Sequence, residues 1–283
     1  MKATVAGYAR VRSLPEVFEL LAQGGPDAQV IAGGQSLVAT LNLRLSDGAR
    51  LIDINDVAEL RGIEEREGVL RIGALTRHAE LASSPVIAGK VPLLAQAAQL
   101  IAHAAIRNRG TIGGSLANAD PAAELPACML ALGATIEVQG AAGTRHIPAE
   151  EFSEGMFATA LEEGEIITAI QVPVCGTDER HGIRELARRS GDYALVGLAA
   201  VMRGHEPRLA YFGVGDQPVL AQEAMKVLAE GGSVAEACAQ LSGDIDPPGD
   251  LHASSAYRLH LAGVLLKRVM DDLRNDSTKK EAV

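Results

Sequence analysis

Residues 107–126 have the sequence RNRGTIGGSLANADPAAELP, the most informative stretch of this 283-residue chain. It contains three glycines, a threonine, a serine and two acids, and it lies between two segments rich in Ala and Leu. The flanking segments 91–106 and 121–132 are both predicted to be helices, the second with Asp120 as its N-cap and Pro121 at its first position. We therefore predict a polar glycine loop that connects two apolar helices.

The two adjacent glycines, Gly113 and Gly114, have no Cβ, so the backbone of this loop can approach a ligand closely. Its amides and the hydroxyls of Thr111 and Ser115 can donate to phosphate oxygens. A second glycine pair occurs in IAGGQS, residues 31–36, where a short strand is predicted to turn into a helix. One such pair is compatible with a purely structural turn. Two pairs, each followed by a hydroxyl residue and an apolar helix start, favour one extended diphosphate ligand.

Composition excludes several classes of function. Hydrophobic residues make up 47% of the chain, as in a globular protein, and aromatic residues only 3%, with no tryptophan. The formal net charge is −10. An acidic chain with few aromatic side chains is a poor partner for nucleic acid. Ser115 does not stand in a G-x-S-x-G sequence, which argues against a hydrolase.

Cysteine and histidine positions predict neither a disulfide framework nor a metal site. Cys128, Cys175 and Cys238 are far apart, and no C-x-x-C or H-E-x-x-H sequence occurs. The N-terminus has no apolar signal core, and no apolar run approaches the roughly 18 residues of a membrane span. We expect a cytoplasmic protein without a membrane span.

The order of predicted elements indicates an α+β chain in two domains. Strands at 28–32, 50–54 and 69–74 alternate with helices and predict a small parallel sheet. After a cluster of turn residues at 173–182, three antiparallel strands and then helices are predicted. The predicted domains are residues 1–175, with lobes of about 1–60 and 61–175, and residues 176–283.

Three motifs carry a resemblance to a known family: AGGQSL at 32–37, TIGGSLA at 111–117 and RRSGDYA at 188–194. Together they resemble the FAD-binding medium subunit of the molybdenum hydroxylases, the group that contains bacterial carbon monoxide dehydrogenase and xanthine dehydrogenase. The resemblance covers nearly the whole chain. It implies a two-lobed FAD-binding domain of the vanillyl-alcohol-oxidase/PCMH type, followed by a smaller domain with a three-stranded antiparallel sheet and helices.

The resemblance also implies a set of residues around FAD, and no catalytic residue or metal ligand in this chain. The glycine segments would hold the diphosphate, Ile101 and Ile167 would form apolar walls, and Asp192 and Tyr193 would lie beside the flavin ring. A cation from Arg184 or Arg188 would tune the ring's reduction potential. The implied residues are Ile31, Ala32, Gly33, Gly34, Gln35, Ser36, Leu37, Ile101, Gly110, Thr111, Gly114, Ser115, Ala123, Glu124, Ile167, Arg184, Asp192 and Tyr193.

Some of these positions keep an alternative or depart from the family pattern. Glu124 is either a first-turn acid that complements the helix dipole, or a contact of the flavin ribityl or adenosine hydroxyls, and the two roles are compatible. Many relatives have Asn in place of Ser115, several have His in place of Gln35, and Lys is common where Arg184 stands. Ser115 and Gln35 keep the capacity to hydrogen-bond, and Arg184 keeps the charge of Lys but changes its geometry.

The function implied is an electron relay. A large partner subunit would oxidise an N-heterocycle, purine, aldehyde or CO at a molybdopterin, and a small partner would pass electrons through 2Fe–2S clusters to the FAD of this chain. The FAD would deliver them to a terminal acceptor, and the complex would be a dimer of heterotrimers. The alternatives are a non-catalytic nucleotide-binding assembly subunit and a self-sufficient flavin oxidoreductase.

Overall fold

The structure of the chain, a computed structural model, describes residues 5–45 and 49–280. Its N-terminal part contains β1 (Gly7–Arg10), α1 (Leu14–Gly24), β2 (Ala28–Ile31), α2 (Leu37–Asn42) and β3 (Arg50–Asp53). The three strands form a parallel sheet in the order β1–β3–β2. The expected parallel sheet is present, but segment 69–74 does not belong to it. Its third strand is β1, an edge strand with the half-polar sequence GYAR, which lacks a distinct apolar pattern.

The middle of the chain builds a second, antiparallel sheet covered by helices. Its elements are β4 (Ile63–Arg66), β5 (Val69–Gly73), α3 (His78–Ser83), α4 (Pro85–Lys90), α5 (Pro92–Leu100), α6 (Ala104–Arg107), α7 (Ile112–Asn118), α8 (Glu124–Leu132), β6 (Thr135–Gly140), β7 (Gly143–Pro148), α9 (Ala149–Phe152), β8 (Ser153–Gly155), β9 (Ala158–Thr159) and β10 (Ile166–Pro173). The sheet has the order β4–β5–β10–β6–β7, and β8 pairs only with β9. Helix α8 is almost wholly buried, α5 buries one apolar face, and both belong to one continuous core with this sheet.

The C-terminal part contains a third sheet and three helices: β11 (Glu179–Ala187), β12 (Ala194–Arg203), β13 (Glu206–Phe212), β14 (Val219–Leu220), α10 (Gln222–Ala229), α11 (Val234–Asp244) and α12 (Ser255–Lys280). The antiparallel order is β11–β12–β13–β14, so a two-residue strand extends the expected three. Among the helices that the structure describes, none has the length and apolarity that crossing a bilayer requires.

Strand β12 is buried on both faces. Leu198 and Ala200 belong to the core shared with α12, whereas Ala199 and Val201 belong to the core shared with α8. Because successive side chains of a strand point to opposite faces, the third sheet is held between these two helices. The same alternation applies to the neighbouring strand β11, so its successive side chains also point to opposite faces of the sheet.

The central stretch differs from its prediction in that the glycine pair lies in a helix. Thr111 is the N-cap of α7, and its Oγ1 accepts a hydrogen bond from the amide of Gly114 at 3.1 Å. The amide of Gly113 donates to the carbonyl of Ala74 at 2.9 Å, so this first turn is anchored to the end of β5. A threonine cap and a tight backbone contact therefore overcome the low helix propensity of two glycines.

Both flanking helices are shorter than predicted. The first breaks at Ala102, whose φ is +39°, so α5 and α6 are separate. The second begins at Glu124 rather than at Pro121, because the Asp120 carboxylate accepts a hydrogen bond from the Ala122 amide at 2.9 Å. A side chain that closes its own turn two residues ahead competes with helix capping. Asp120 is therefore a turn residue, and the N-cap of α8 is Ala123.

One polar face of the antiparallel sheet is organised around Glu137 on β6. Its carboxylate accepts hydrogen bonds from Arg71 Nη2 at 2.7 Å, Thr168 Oγ1 at 2.8 Å and Gln171 Nε2 at 3.2 Å. Burial by itself raises the pKa of Glu137, but the hydrogen bonds from Arg71 and Thr168 outweigh it and lower the pKa to about 2. The ionised form is therefore the one that ties strands β5, β6 and β10 together.

We predict that Glu137→Gln lowers the free energy of unfolding by about 1–3 kcal/mol at pH 7, because a charge-assisted network loses its acceptor. A carboxyl whose folded pKa is lowered stabilises the fold above its unfolded pKa of 4.5 and loses that effect as pH falls towards 2. Urea unfolding of both proteins should therefore converge between pH 4.5 and pH 2. The exposed Glu64→Gln is the control, expected within about 0.5 kcal/mol of wild type. A difference that stays constant down to pH 2 would contradict the ionised network.

Candidate functional site

A cavity of about 1210 Å³ lies where the parallel sheet, α7 and the C-terminal sheet meet. It exceeds the roughly 300–1,000 Å³ of ordinary small-molecule pockets, as an extended ligand requires. Its walls come from five separated parts of the chain: 18–54, 74–78, 101–124, 140–167 and 191–193. Distant segments converge here, so the cavity is a property of the whole fold.

Seventeen of the eighteen residues expected around a cofactor line this cavity. The exception is Arg184. The seventeen are Ile31, Ala32, Gly33, Gly34, Gln35, Ser36, Leu37, Ile101, Gly110, Thr111, Gly114, Ser115, Ala123, Glu124, Ile167, Asp192 and Tyr193.

Arg184 is directed away from the cavity, so its expected role beside a ring is not supported. On β11 it lies opposite Leu198, on the face that packs against α12. Its guanidinium forms a two-pronged ion pair with Asp272, with Nε–Oδ2 and Nη2–Oδ1 distances of 2.5 and 2.9 Å. Glu185, the next residue, lies opposite Gly197 and points to the other face. Glu185 thus lines a smaller neighbouring cavity, whereas Arg184 does not.

The two glycine segments touch each other at one end of the cavity. A Cβ at Gly33 would lie 2.4 Å from the carbonyl oxygen of Arg109 and 2.9 Å from Cα of Gly110. No side chain larger than hydrogen fits there. Gly34 has a φ of +72°, a conformation that favours glycine. The segments that the sequence places 76 residues apart therefore form a single wall, with Gly33 buried against Arg109.

Side chains behind this wall hold the two segments in place. Arg77 donates from Nη1 to the Arg109 carbonyl and from Nη2 to Asn55 Oδ1 at 2.5 Å. Asn55 Nδ2 in turn donates to the Ala32 carbonyl at 2.8 Å. A chain of hydrogen bonds thus links one glycine segment to the other through Asn55 and Arg77. Neither residue belongs to a recognisable motif, so sequence reading missed both.

The wall leaves backbone donors free for a ligand. Within residues 5–45 and 49–280, none of the four amides from Gly33 to Ser36 has an acceptor in the protein. Gly114 is exposed to the cavity at the first turn of α7. Amides without protein acceptors, at a place where no Cβ intervenes, are the donor set that a diphosphate uses.

His78 supports this wall from within the protein. Its amide donates to the Gly110 carbonyl at 3.0 Å, and its Nε2 lies 3.0 Å from the Thr111 carbonyl. A carbonyl only accepts, so Nε2 carries the proton and Nδ1 does not. Burial lowers the pKa of His78 to about 4, and the positive charges of Arg77 and Arg107 contribute in the same direction. His78 is therefore neutral at physiological pH.

The opposite end of the cavity is aromatic and acidic. Tyr193, 70% exposed, stands near Asp120; partial desolvation and then that carboxylate raise the pKa of its hydroxyl. Burial raises the pKa of Glu124 to about 7, with smaller contributions from Glu185 and Asp120. An exposed aromatic side chain beside carboxyls that can be neutral suits a planar, polar ring system.

A second group of chemical interest, Cys175, Glu179 and His181, lies apart from the cavity, with ligand-type atoms within 4.8 Å of one another. The Leu93 amide donates to His181 Nδ1 at 3.2 Å, so Nε2–H faces Glu179 Oε1 at 2.6 Å. Arg203 Nε donates to the second carboxylate oxygen at 2.9 Å. Both histidine nitrogens and both carboxylate oxygens are thus engaged, which identifies a joint between α5, β11 and β12 and not a metal centre.

Two family descriptions match the chain. Residues 3–175 match the FAD binding domain in molybdopterin dehydrogenase, and residues 181–273 match the CO dehydrogenase flavoprotein C-terminal domain. The 6-hydroxypseudooxynicotine dehydrogenase complex subunit alpha of Paenarthrobacter nicotinovorans is 39% identical over 280 residues, which is 95% of each chain. The carbon monoxide dehydrogenase medium chain of Hydrogenophaga pseudoflava is 36% identical over 273 residues, 93% of this chain and 95% of that protein.

Solved structures agree with these relationships. A chain of the carbon monoxide dehydrogenase of Hydrogenophaga pseudoflava superposes with a TM-score of 0.94 at 36% identity, covering 97% of this chain and 99% of that one. A chain of quinoline 2-oxidoreductase from Pseudomonas putida 86 gives 0.91 at 37% identity, with 98% and 99% covered. The similarity therefore extends over nearly the whole length of this chain and of each of the two solved chains.

The neutral state of His78 predicts an acid-dependent loss of stability. In the unfolded chain His78 binds a proton below its pKa of 6.5. In the folded chain it binds that proton only near pH 4. Stability should therefore fall by up to about 3 kcal/mol between pH 6.5 and 4 on account of this residue. His78→Gln, which still offers a donor to Thr111 and does not titrate, should flatten that part of the curve. Urea unfolding at pH 7 and 4.5 measures it, with the exposed His260→Gln as control; an unchanged acid loss in His78→Gln would refute the assignment.

Proposed function

This chain belongs to the FAD-binding medium subunits of the molybdenum hydroxylase family, and from that membership we propose that it is the electron-transfer subunit of a heteromeric molybdenum hydroxylase. Its class is that of an oxidoreductase flavoprotein subunit. The observation that carries the proposal is the cavity of about 1210 Å³, whose walls contain both the four amides without protein acceptors and the exposed Tyr193. An extended dinucleotide with a diphosphate and a planar ring matches both features.

The residues of this chain would divide the binding of FAD between them. The amides from Gly33 to Ser36 would hold the diphosphate, and the hydroxyls of Thr111 and Ser115 at the start of α7 would donate to it from the other segment. Gly110 and Ala123 would allow close approach, because one lacks a side chain and the other has only a methyl group. Gln35, which donates to the Gly33 carbonyl at 3.2 Å, would keep this turn closed. The wall between Gly33 and Arg109 thus supplies orientation.

The ring would lie towards Asp192 and Tyr193, with Glu124 near the ribityl or adenosine hydroxyls. Ile101 and Ile167, both at most 8% exposed, give apolar surface to the walls, and Ile31, Ala32 and Leu37 continue it. FAD accepts and releases electrons singly or in pairs, and the protein supplies its binding and electrostatic environment. No residue of this chain is assigned to substrate chemistry.

The relay needs partners of defined chemistry. A large subunit with molybdopterin would oxidise the substrate, and a small subunit with 2Fe–2S clusters would deliver electrons to FAD, in a dimer of heterotrimers in the cytoplasm. In support, relatives are named as subunits or medium chains of dehydrogenases, and the similar carbon monoxide dehydrogenase of Hydrogenophaga pseudoflava is described by the state of its molybdenum cofactor. The terminal acceptor would meet the ring at the exposed side of Tyr193.

The first test is FAD binding by the purified chain, followed by visible absorbance. We predict a flavin spectrum, and a dissociation constant raised at least about tenfold by Gly114→Val. A Cβ at Gly114 would lie 2.8 Å from Thr111 Oγ1, so valine displaces the Thr111 cap and adds volume to the cavity wall. Gly89→Val is the control, since nothing lies within 4 Å of a Cβ there. Absence of flavin both from the chain and from its assembled complex would overturn the proposal.

The second test separates the relay from its two alternatives. In a complex assembled with Gly114→Val and therefore poor in FAD, substrate should still bleach the clusters, while turnover with a terminal acceptor falls in proportion to FAD content. Candidate substrates are N-heterocycles, purines, aldehydes and CO. Full turnover without FAD would favour an assembly subunit. Substrate oxidation by the isolated FAD-loaded chain would favour a self-sufficient flavin enzyme.

A further inference from the structure

A second, smaller cavity of about 470 Å³ adjoins the main one. The two share Ala102 and Gly191 as lining residues, so they meet beside the segment that carries Asp192 and Tyr193. The polar side chains of the second cavity are those of Gln99, His103, Arg107, Glu185, Arg189 and Ser190. His103, Arg189 and Ser190 are exposed, so this cavity leads from solvent towards the tyrosine end.

Glu185 is placed in the second cavity by the register of β11. It lies opposite Gly197, over which the ring of Phe212 packs, and it is half-buried. In the described part of the chain, no hydrogen bond or ion pair engages its carboxyl group. Burial raises the pKa of Glu185 to about 7. An unpartnered carboxyl that can be protonated at neutral pH is suited to proton exchange.

The charged neighbours of Glu185 come from three other parts of the chain. Arg107 of α6 is held by the carbonyls of Ile101 and Ala102 at 2.9 and 3.0 Å. His103 and Arg189 stand at the exposed rim, and Glu124 of α8 is close enough to interact electrostatically. None of these groups forms an ion pair with Glu185 in the described part of the chain, and burial is the cause of its raised pKa.

The proposed relay creates a need for a proton at this place. Iron–sulfur clusters deliver electrons without protons, whereas two-electron reduction of the cofactor follows FAD + 2 e⁻ + H⁺ → FADH⁻. The chain that holds FAD must therefore let one proton in for each electron pair. When the acceptor takes the electron pair, that proton leaves with it as hydride or returns to solvent. We propose, resting on the proposed function, that Glu185 supplies this proton and is recharged from solvent through the second cavity.

The other titratable groups of the cavity are less suited to this task. His78 is already neutral and buried, and its proton is committed to the Thr111 carbonyl. The Asp120 carboxylate accepts from the Ala122 amide and closes a turn. Glu124 lines the main cavity but not the second one, so it is not on the route that leads in from solvent past His103 and Arg189. Among the described residues that line either cavity, Glu185 is the only one with a carboxyl group that lines the second cavity.

The test uses the full chain loaded with FAD and a one-electron donor, titanium(III) citrate, which brings no proton. Stopped-flow absorbance should show flavin reduction near pH 7 about 100-fold slower in Glu185→Gln than in wild type, with the solvent isotope effect diminished. Glu185→Asp should restore most of the rate, because it keeps a carboxyl group. Glu230→Gln, an exposed change far from both cavities, should leave the rate unchanged.

A second measurement does not depend on flavin reduction and follows the protonation of the carboxyl group directly. Infrared difference titration of the cofactor-free chain should show a protonated carboxyl band that titrates near pH 7, reduced in Glu185→Gln by one group. Equal FAD binding with equal reduction rates in wild type and Glu185→Gln would overturn this inference alone, as would a titrating band lost only in Glu124→Gln. Absence of FAD both from the wild-type chain and from its assembled complex would overturn the proposed function and this inference with it.

Discussion

The contact between Gly33 and the backbone of Arg109 and Gly110 is the constraint on which the rest of the site depends. With 2.4 Å between a hypothetical Cβ and a carbonyl oxygen, the two segments meet backbone to backbone. This contact joins the parallel sheet to the helical layer of the antiparallel sheet. It thereby places the two glycine segments on one wall of the cavity. Because the contact is made by main-chain atoms, no side-chain rearrangement can compensate for added volume.

Such a wall exposes backbone donors and would be unstable without a rigid second layer. Arg77, Asn55 and His78 provide that layer, and each uses its polar atoms on carbonyls of the glycine segments. The carbonyls are therefore turned inward, which leaves the amides facing the cavity. Neutrality of His78 matters here, since a second positive charge beside Arg77 would be buried without a counter-ion.

Local motifs predicted the walls of the site well, because phosphate-binding glycines act through their own backbone and neighbours. The long-range strand pairings that complete the cavity could not be predicted from the sequence. The segments 140–143 and 161–166 reach the cavity through strand pairings of β6, β7 and β10 that carry no motif. The helix α7 replaced a predicted loop because the Gly113 amide finds an acceptor in Ala74, a tertiary contact that overrides propensity.

The orientations of Arg184 and Glu185 could not be predicted from the sequence, because a shift of one residue along a strand exchanges the faces to which the two side chains point. The register of β11 is set by burial: β12 is apolar on both sides, so the third sheet lies between α8 and α12 and each β11 side chain must face one or the other. Arg184 faces α12 because Asp272 stands there to receive it. Glu185 consequently points to the opposite face, into the smaller cavity that adjoins the main one. The packing of a distant helix thus determines which of the two charged side chains faces that cavity.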